Sequence, residues 1–447
     1  MASHEWIQLG FLVAQGLWVF AFGACVGSLI NVLVYRLPLG LSVITPPSAC
    51  PHCGVRLSWR DNIPVLGWLL LKGRCRYCRT PISIEYPLVE FVGGLLFVLL
   101  YVVLYTLPPG SEWLGVHWGA MRPEWALSGF ARSWPELVVI LVLFGSLLAM
   151  TLVDAKTFTI PLVLAWVPAV LALVAYPLHA AIVGETPFAR GWRPPAHDWS
   201  IPIPSDTTTT GVWWIGAAIG GTIGIALSNG LLALGVLKHS FADYEDWERA
   251  ELARRAEAGD GEATPDAEMW IEYPHARREM LREILFLSPA LALAAVGGLI
   301  TLRMAGPWEL DPTTLTTVAS WDGAPLWVRV LSGTLMGLLI GGGVIWAVRI
   351  FGSLAFGREA MGLGDVHLLA AVGACLGWID SVLTLFAACF VGAFIGIGAK
   401  LLLGSKARAL PFGPYLAIAA MLIFLGKPLV EIGLTRLMHA ETPVNLP

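Results

Sequence analysis

Charged residues are scarce in this sequence. Asp, Glu, Lys and Arg together make up 13% of its 447 residues, whereas a soluble globular protein carries about 25%. This shortage excludes a soluble globular fold for the whole chain. It also excludes a disordered chain or one that coats nucleic acid, so we expect no nucleic-acid partner. Cysteine is scarce too, with seven residues, so their spacing carries more information than their number.

Hydrophobic residues, by contrast, make up 56% of the chain and gather into long runs. Since a spanning helix needs about 20 apolar residues, we predict an all-α polytopic membrane protein with about 8–10 transmembrane helices in contact with lipid. The predicted segments are Ile7–Val34, Leu88–Leu107, Leu137–Val153, Leu162–Val183, Val212–Leu237, Ile284–Leu302, Val328–Ile350, Val366–Trp378, Val382–Leu403 and Pro414–Val430. The eighth is short and could be a half-span. The first lacks a basic n-region, so we do not expect a cleavable signal peptide.

Basic residues are distributed unevenly between the loops. The connection that follows the first segment, Arg36–Arg79, is rich in Arg, whereas the next loop, Pro108–Pro135, has only two basic residues. The positive-inside rule then places Arg36–Arg79 in the cytoplasm and the N-terminus outside. With ten spans the C-terminus also lies outside.

One segment, Lys238–Glu283, departs from the membrane composition, with thirteen acidic residues against seven basic ones. Asp243–Ala258 is predicted to be a charged helix with opposite charges at helical spacing, and a second helix is predicted to start near Asp266. This charged insert is either a solvated hairpin that joins two spans or a docking surface for a cytoplasmic partner.

Four of the cysteines form two C-x-x-C pairs in the Arg-rich connection. Cys50 and Cys53 are separated from Cys75 and Cys78 by 21 residues, a spacing close to that of a zinc ribbon. We predict that the four thiolates bind one structural Zn²⁺, which leaves no open position for water. Disulfides or free thiols are the alternative, although a cytoplasmic location keeps thiols reduced.

Two aspartates lie at the ends of predicted spans. Asp154 ends the third segment and Asp365 precedes the eighth. In the topology above both lie at the cytoplasmic face, so we expect them to be able to meet. Two carboxyl groups in one site share a proton, and the pair can activate water against a peptide carbonyl and then protonate the leaving amine.

Gly362 and Gly364 flank this second aspartate. They remove side chains where an extended substrate would need close approach, so we predict that both bind the substrate backbone. Other interpretations stay open at this point. Asp365 could cap the following helix, and Asp154 could pair with Lys156 or with interfacial water. A proton-coupled transporter also uses membrane aspartates, typically nearer the midplane.

These segments together resemble the bacterial prepilin peptidases, which are the type IV leader peptidases of the membrane GxGD aspartic protease class. The matching motifs, in the family's order, are Gly27–Val32, Tyr35–Pro38, Cys50–Cys78, Tyr86–Glu90, Glu359–Asp365, Leu368–Ala371 and Leu410–Tyr415.

The resemblance implies an enzyme of the bacterial inner membrane that removes the short basic leader of type IV prepilins and type II secretion pseudopilins at the cytoplasmic face. It implies that Asp154 and Asp365 are the catalytic pair. Members with the cysteine domain commonly also N-methylate the new N-terminus with S-adenosylmethionine. The sequence has no Gly-rich nucleotide loop of the soluble methyltransferase type, so this activity and its cofactor follow from the resemblance alone.

Two charged positions depart from the family pattern. Lys156 stands where many members have a second Asp, and Glu85 stands where an Arg is common. Leu162 and His367 are further departures. These changes alter the charge around the predicted site, so we expect them to affect substrate preference and pH dependence more than the reaction type.

The alternative function within the family is a peptidase without methyltransferase activity, or a proteolytically inactive member that serves pilus or type II secretion assembly. A transporter would need polar residues through several spans, and the predicted spans are nearly free of charge. We therefore divide the chain into a first transmembrane helix (1–37), a cytoplasmic zinc-binding cysteine domain (38–84), helices with the first Asp (85–237), the charged insert (238–283) and helices with the GxGD motif (284–447).

Overall fold

The computed structural model describes residues 2–108, 110–113, 116–183, 207–258, 275–305, 308–310, 317–319, 324–357, 359–403 and 411–439. Most of these residues are helical. The helices are, in chain order, α1 Ala2–Arg36, α2 Leu66–Leu70, α3 Glu85–Tyr101, α4 Glu124–Leu127, α5 Phe130–Thr157, α6 Leu162–Val183, α7 Thr207–Ala233, α8 Tyr244–Ala258, α9 Ala276–Ala305, α10 Leu326–Phe356, α11 Leu363–Leu376, α12 Trp378–Leu403 and α13 Gly413–Leu437.

Strands make a small contribution to the described residues. β1 (Glu112–Trp113) pairs antiparallel with β2 (Val116–His117), and β3 (Trp308–Leu310) pairs antiparallel with β4 (Thr317–Ala319). In the two ribbons Glu112 lies opposite His117 and Glu309 lies opposite Val318. A π-helical segment, Val102–Thr106, extends α3, and a 3₁₀ segment covers Trp118–Met121.

Nine of the described helices are long and apolar enough to cross a membrane, namely α1, α3 with its π-helical extension, α5, α6, α7, α9, α10, α12 and α13. The predicted all-α polytopic fold with about 8–10 spans is confirmed. The predicted eighth segment corresponds to α11, which has 14 residues. At about 1.5 Å per residue, α11 is too short for a hydrocarbon core of about 30 Å.

The first part of the charged insert forms α8, as the spacing of its charges predicts. Two ion pairs one turn apart support the helix, with Arg249 to Asp246 at 2.6 Å and Arg254 to Glu251 at 2.7 Å. The second predicted helix, near Asp266, lies outside the described residues. The insert ends inside α9, which begins at Ala276 and continues without a break into a candidate span.

The chain forms two compact units, and one of the two divisions between them falls within α12. One unit contains residues 1–195 and 383–447, and the other contains residues 196–382. In the first unit, α1 packs closely on α3 through small residues, because a Cβ at Gly27 would lie 2.6 Å from Cα of Glu90. This close approach between backbones is the usual way in which apolar helices associate in a membrane.

In the second unit, α10 packs on α11 by the same device. A Cβ on Gly337 would lie 2.0 Å from the carbonyl oxygen of Gly373, and a Cβ on Gly373 would lie equally close to the carbonyl oxygen of Gly337. Helix α11 ends at Gly377, whose φ of 102° is accessible to glycine and strained for other residues. The contact with α10 therefore fixes the short helix that carries Asp365.

Candidate active site and metal centre

Asp154 lies in the last turn of α5 and is 4% exposed. Phe158 ends the helix in the left-handed conformation and donates its N–H to the Asp154 carbonyl oxygen at 2.9 Å. The C-terminus of a helix is a poor place for a carboxylate, because the last carbonyl groups carry partial negative charge. The side chain of Asp154 therefore needs support from outside its own helix.

That support comes from the first residue of α13. The backbone N–H of Gly413 donates a hydrogen bond to the Asp154 carboxylate. A Cβ at Gly413 would lie 2.4 Å from Oδ2 of Asp154, so the contact is possible only because the residue is glycine. The positive end of one helix thus compensates for the negative end of another.

Gly413 belongs to the motif Leu410–Tyr415, for which the sequence alone predicts no role. The signal that could have found it is the Gly413-Pro414 pair at the start of an apolar run. Proline is favoured at the first positions of a helix, and the free N–H groups at a helix N-terminus bind anions.

Asp365 has the opposite position, in the first turn of α11, where its residue is 8% exposed. The N-cap of α11 is Gly362, in an extended conformation (φ −70°, ψ 148°) and without a side-chain capping bond. Asp365 is therefore not the N-cap residue itself and lies three residues after it. Its carboxylate lies where the helix dipole favours negative charge.

Gly362 leaves space beside this carboxylate. It is exposed, and a Cβ at this position would meet Oδ2 of Asp365 at 3.6 Å, an ordinary van der Waals distance. Its φ and ψ are accessible to any residue. Gly362 is therefore not required by the backbone conformation, which is consistent with a role towards a substrate.

Lys156 pairs with Glu85 and not with Asp154. Its Nζ lies 2.8 Å from Oε2 of Glu85, and both side chains are more than half exposed. The alternative that Asp154 pairs with Lys156 is therefore not realised. Lys156 and Glu85, two of the departures from the family pattern, therefore contact each other.

Charged residues inside the predicted spans are more numerous than sequence analysis recognised. Arg349 lies in the seventh predicted segment and is 3% exposed. Glu90 lies in the second, and its carboxylate accepts the N–H of Val65 at 2.7 Å. A lone charge in an apolar run was the available signal, since such residues are functional or structural candidates by default.

The four predicted cysteine ligands come together. The Sγ atoms of Cys50, Cys53, Cys75 and Cys78 all lie within 4.8 Å of one another, and none of the four forms a disulfide. Cys50 and Cys78 are separated by 3.8 Å between sulfurs. Tetrahedral thiolates with bonds of about 2.3 Å to Zn²⁺ are separated by about 3.8 Å, so the donor set and its spacing fit this ion.

The two C-x-x-C pairs fold in the same way. Cys50 donates its N–H to the Val55 carbonyl at 3.0 Å, and Cys75 donates to the Thr80 carbonyl at 2.9 Å. The residue after each second cysteine has positive φ, at 68° for Gly54 and 61° for Arg79. Each turn therefore presents two sulfurs from one tight loop, which is the geometry of a zinc knuckle.

The surroundings of the cluster favour the thiolate form of one ligand. The hydroxyl and the backbone N–H of Thr80 lower the pKa of Cys78 to about 6. Thiolates and not thiols are metal ligands, so the direction of this shift favours metal binding by Cys78.

Motif residues outside the cluster tie the cysteine domain together. Nε and Nη2 of Arg76 donate to Oδ1 of Asp61 at 2.9 and 2.5 Å, and this guanidinium lowers the pKa of the Asp61 carboxyl. Asn31 of α1 donates to the carbonyl oxygen of Tyr86 at 3.0 Å. Polar motif residues that do not bind the metal thus make structural contacts within the cysteine domain and between the helices beside it.

Two families match separate parts of the chain. The family described as Bacterial Peptidase A24 N-terminal domain matches residues 21–104, which include the four cysteines, and the Type IV leader peptidase family matches residues 312–397, which include Asp365. The segment that carries Asp154 lies between the two matches.

Relatives cover more of the chain. A prepilin leader peptidase/N-methyltransferase of Klebsiella pneumoniae is 36% identical over 181 residues, 38% of this chain and 68% of the relative. The protein of the same description from Myxococcus xanthus is 28% identical over 70% of this chain and 75% of the relative. That of Aeromonas hydrophila is 24% identical over 91% of this chain and 89% of the relative. No solved structure matches the chain.

Proposed function

Because the chain belongs to the type IV leader peptidase family, we propose that it is a membrane aspartic endopeptidase that removes the basic leader of type IV prepilins and pseudopilins. Asp154 and Asp365 are the proposed catalytic pair. The observation that carries this proposal is that both carboxyl groups are buried at helix ends, each supported by the positive end of a helix, with the open flank of Gly362 beside one of them.

The proposed reaction is hydrolysis of one peptide bond. One carboxylate takes a proton from a water molecule while the water oxygen forms a bond to the carbonyl carbon. The other carboxyl group gives a proton to the amine nitrogen as the C–N bond breaks. The products are the leader with a new carboxyl terminus and the pilin with a new amino terminus. The open flank of Gly362 would admit the extended substrate backbone beside Asp365. Gly364, in the first turn of α11, is the second proposed contact of that backbone.

A second activity is proposed from the names of the relatives, which include N-methyltransferase. With S-adenosylmethionine as donor, the methyl group would move from the sulfonium sulfur to the new amino group, which loses a proton. The cleavage site would lie at the cytoplasmic face of the bacterial inner membrane, because the Arg-rich cysteine domain and both aspartates are predicted on that side.

The four-cysteine cluster is the proposed site of a structural Zn²⁺. Cys50, Cys53, Cys75 and Cys78 would hold it, and the ion would supply stability to a domain too small to bury a sufficient apolar core. Its four sulfur ligands leave no position for water, so no step of hydrolysis is assigned to the metal.

Intact-mass measurement of a prepilin incubated with the detergent-solubilised protein tests both activities. Without S-adenosylmethionine we expect loss of the leader alone, and with it we expect the additional mass of one methyl group. Loss of the leader without methylation in either sample would leave a peptidase only. Binding of the prepilin without loss of the leader would contradict the proposed reaction and favour an inactive member that serves assembly.

Elemental analysis of purified variants tests the metal site. We expect zinc bound to the wild-type protein, loss of that zinc in Cys75→Ser, and retention in Cys389→Ser, which changes an exposed cysteine of α12 away from the cluster. A wild-type protein without zinc, or a Cys75→Ser variant that keeps it, would contradict the assignment.

A further inference from the structure

The loop that carries Asp365 folds back onto the end of α10. Gly357 ends that helix in the left-handed conformation, with φ of 72°, and its N–H donates a hydrogen bond to the Ser353 carbonyl oxygen. The chain then returns, and the N–H of Ala360 donates to Oγ of Ser353 at 3.0 Å. A Cβ on Gly352 would lie 2.7 Å from Cβ of Ala360. The loop is therefore seated directly on one face of α10.

Arg349 lies on this same face, one turn before Ser353, and its guanidinium contacts the loop at two residues. Its Nη1 donates to the carboxylate of Glu359 and to the carbonyl oxygen of Met361. Met361 directly precedes Gly362, the N-cap of the helix that contains Asp365. One guanidinium nitrogen thus binds the loop at two points, the second of them four residues before the carboxylate.

The other side of the guanidinium binds a buried acid of α9. Nε and Nη2 of Arg349 lie 3.2 and 3.1 Å from the carboxylate of Glu283. Trp346 donates its indole N–H to the same carboxylate at 2.7 Å. Both charged side chains are 3% exposed. Removal of Arg349 would leave the Glu283 carboxylate as an uncompensated buried charge. The pair with Glu283 therefore holds one side of the guanidinium in place.

The two ends of the charged insert contact the same part of α10. The ring of Phe241, near the start of the insert, lies 5.2 Å from Cζ of Arg349. The backbone N–H of Phe241 donates to Glu279 at 2.9 Å. Near the other end, Nε of Arg277 donates to the Leu354 carbonyl oxygen at 3.1 Å. The insert is thus anchored beside the loop at both of its ends.

We propose that Arg349 is a positioning residue for Asp365 and that Glu283 and Phe241 hold Arg349 in place. A buried Arg–Glu pair that only stabilised the helices would need no contact with the loop, yet the guanidinium divides its donors between Glu283 and the loop. The inference rests on the proposed function, since Asp365 matters as the catalytic group of the peptidase. It gives the insert a role beyond that of a connector.

Kinetics of Arg349 variants test this role. Displacement of a catalytic group by about 1 Å costs on the order of 10²-fold in rate. For Arg349→Gln we therefore expect kcat for prepilin cleavage to fall about 10²-fold while KM changes little. Arg349→Lys should recover part of this loss, because it keeps the positive charge. The recovery should be incomplete, because an ammonium reaches fewer of the partners than a guanidinium does. Arg329→Gln, at an exposed position of the same helix, is the matched control and should cleave like the wild type.

Hydrogen exchange provides a readout that does not depend on activity. In Arg349→Gln the amides of residues 359–365 should exchange faster than in the wild type, whereas those of α12 and α13 should not change. If Arg349→Gln fails to fold, Ser353→Ala and Trp346→Phe serve instead. Each removes one hydrogen bond of the support and should slow cleavage about threefold to tenfold.

The outcomes separate this inference from the proposed function. Wild-type kcat and unchanged loop exchange in Arg349→Gln would overturn the positioning role while the peptidase stands. A rise in KM with kcat unchanged would also overturn it. If the wild-type protein itself does not cleave prepilin, the proposed function fails, and faster loop exchange in the variant would still support the role of Arg349 in holding the loop.

Discussion

The surroundings of Asp154 and Asp365 differ in how each carboxylate is supported. Asp154 ends a helix, and the N–H that it accepts comes from Gly413, at the start of a helix much later in the chain. Asp365 begins a helix and benefits from the dipole of that helix itself. One aspartate therefore depends on a long-range contact, and the other depends on its own helix and the loop before it.

The space around each carboxylate determines how a substitution beside it affects the enzyme. Near Asp154 there is no space, because a Cβ at Gly413 would lie 2.4 Å from the carboxylate. Near Asp365 there is space, because a Cβ at Gly362 would lie 3.6 Å away. We expect a side chain added at Gly413 to displace the catalytic group, and a side chain added at Gly362 to act on the substrate.

Gly413→Ala should give the larger effect. The added methyl group must push the Asp154 carboxyl aside, so we expect kcat for prepilin cleavage to fall about 10²-fold with KM nearly unchanged. Gly426→Ala in the same helix is the control, since a Cβ there meets nothing within 4 Å. Steady-state kinetics measure kcat and KM of each variant, and a thermal unfolding curve shows whether the variant is folded. Equal kcat in the two variants would remove the basis for the comparison.

Gly362→Ala should give an intermediate effect of a different kind. The backbone and the Asp365 carboxylate tolerate the methyl group, but a substrate that lies against Gly362 does not. We therefore expect KM to rise about tenfold with little change in kcat, as an overpacked contact implies. Gly343→Ala in α10, where a Cβ meets nothing within 4 Å, is the control. A KM like that of the control would show that the substrate does not contact Gly362.

The Lys156–Glu85 pair should give the smallest effect. Both side chains are more than half exposed, so solvent screening limits the pair to about 1 kcal/mol or less. Lys156→Asp and Glu85→Arg alone each place like charges together and should lower Tm slightly. The double variant restores the pair in reverse and should recover the wild-type Tm. Strictly additive shifts in Tm would mean that the two residues do not interact.

Much of the fold could be predicted from the sequence, because hydrophobicity is a local property. Within the described part of the chain, the long apolar runs form nine candidate spans, and the spacing of opposite charges indicated α8. The cysteine cluster was predictable for a similar reason, since two C-x-x-C pairs fix the chemistry of a site before its geometry is known.

The long-range contacts near the aspartates could not be predicted in the same way. The bond from Gly413 to Asp154 and the pair between Lys156 and Glu85 join segments far apart in the chain, and no periodicity in the sequence marks such contacts. Arg349 was detectable as a charge in an apolar run, but its division between Glu283 and the Asp365 loop depends on the packing of α9 on α10. Membership of the peptidase family confirmed the resemblance, while the catalytic roles of Asp154 and Asp365 stay predictions.

Intact mass of a prepilin after incubation with Asp154→Asn or Asp365→Asn tests the central claim most directly. Asparagine keeps the shape of each side chain and removes the acid and base, so cleavage should be slower by about 10²–10⁴-fold or more in either variant. Asp246→Asn, on the exposed face of α8, should cleave like the wild type. We predict uncleaved prepilin with both catalytic variants and cleaved pilin with the control. Cleaved pilin at the wild-type rate from either Asp154→Asn or Asp365→Asn would contradict the account.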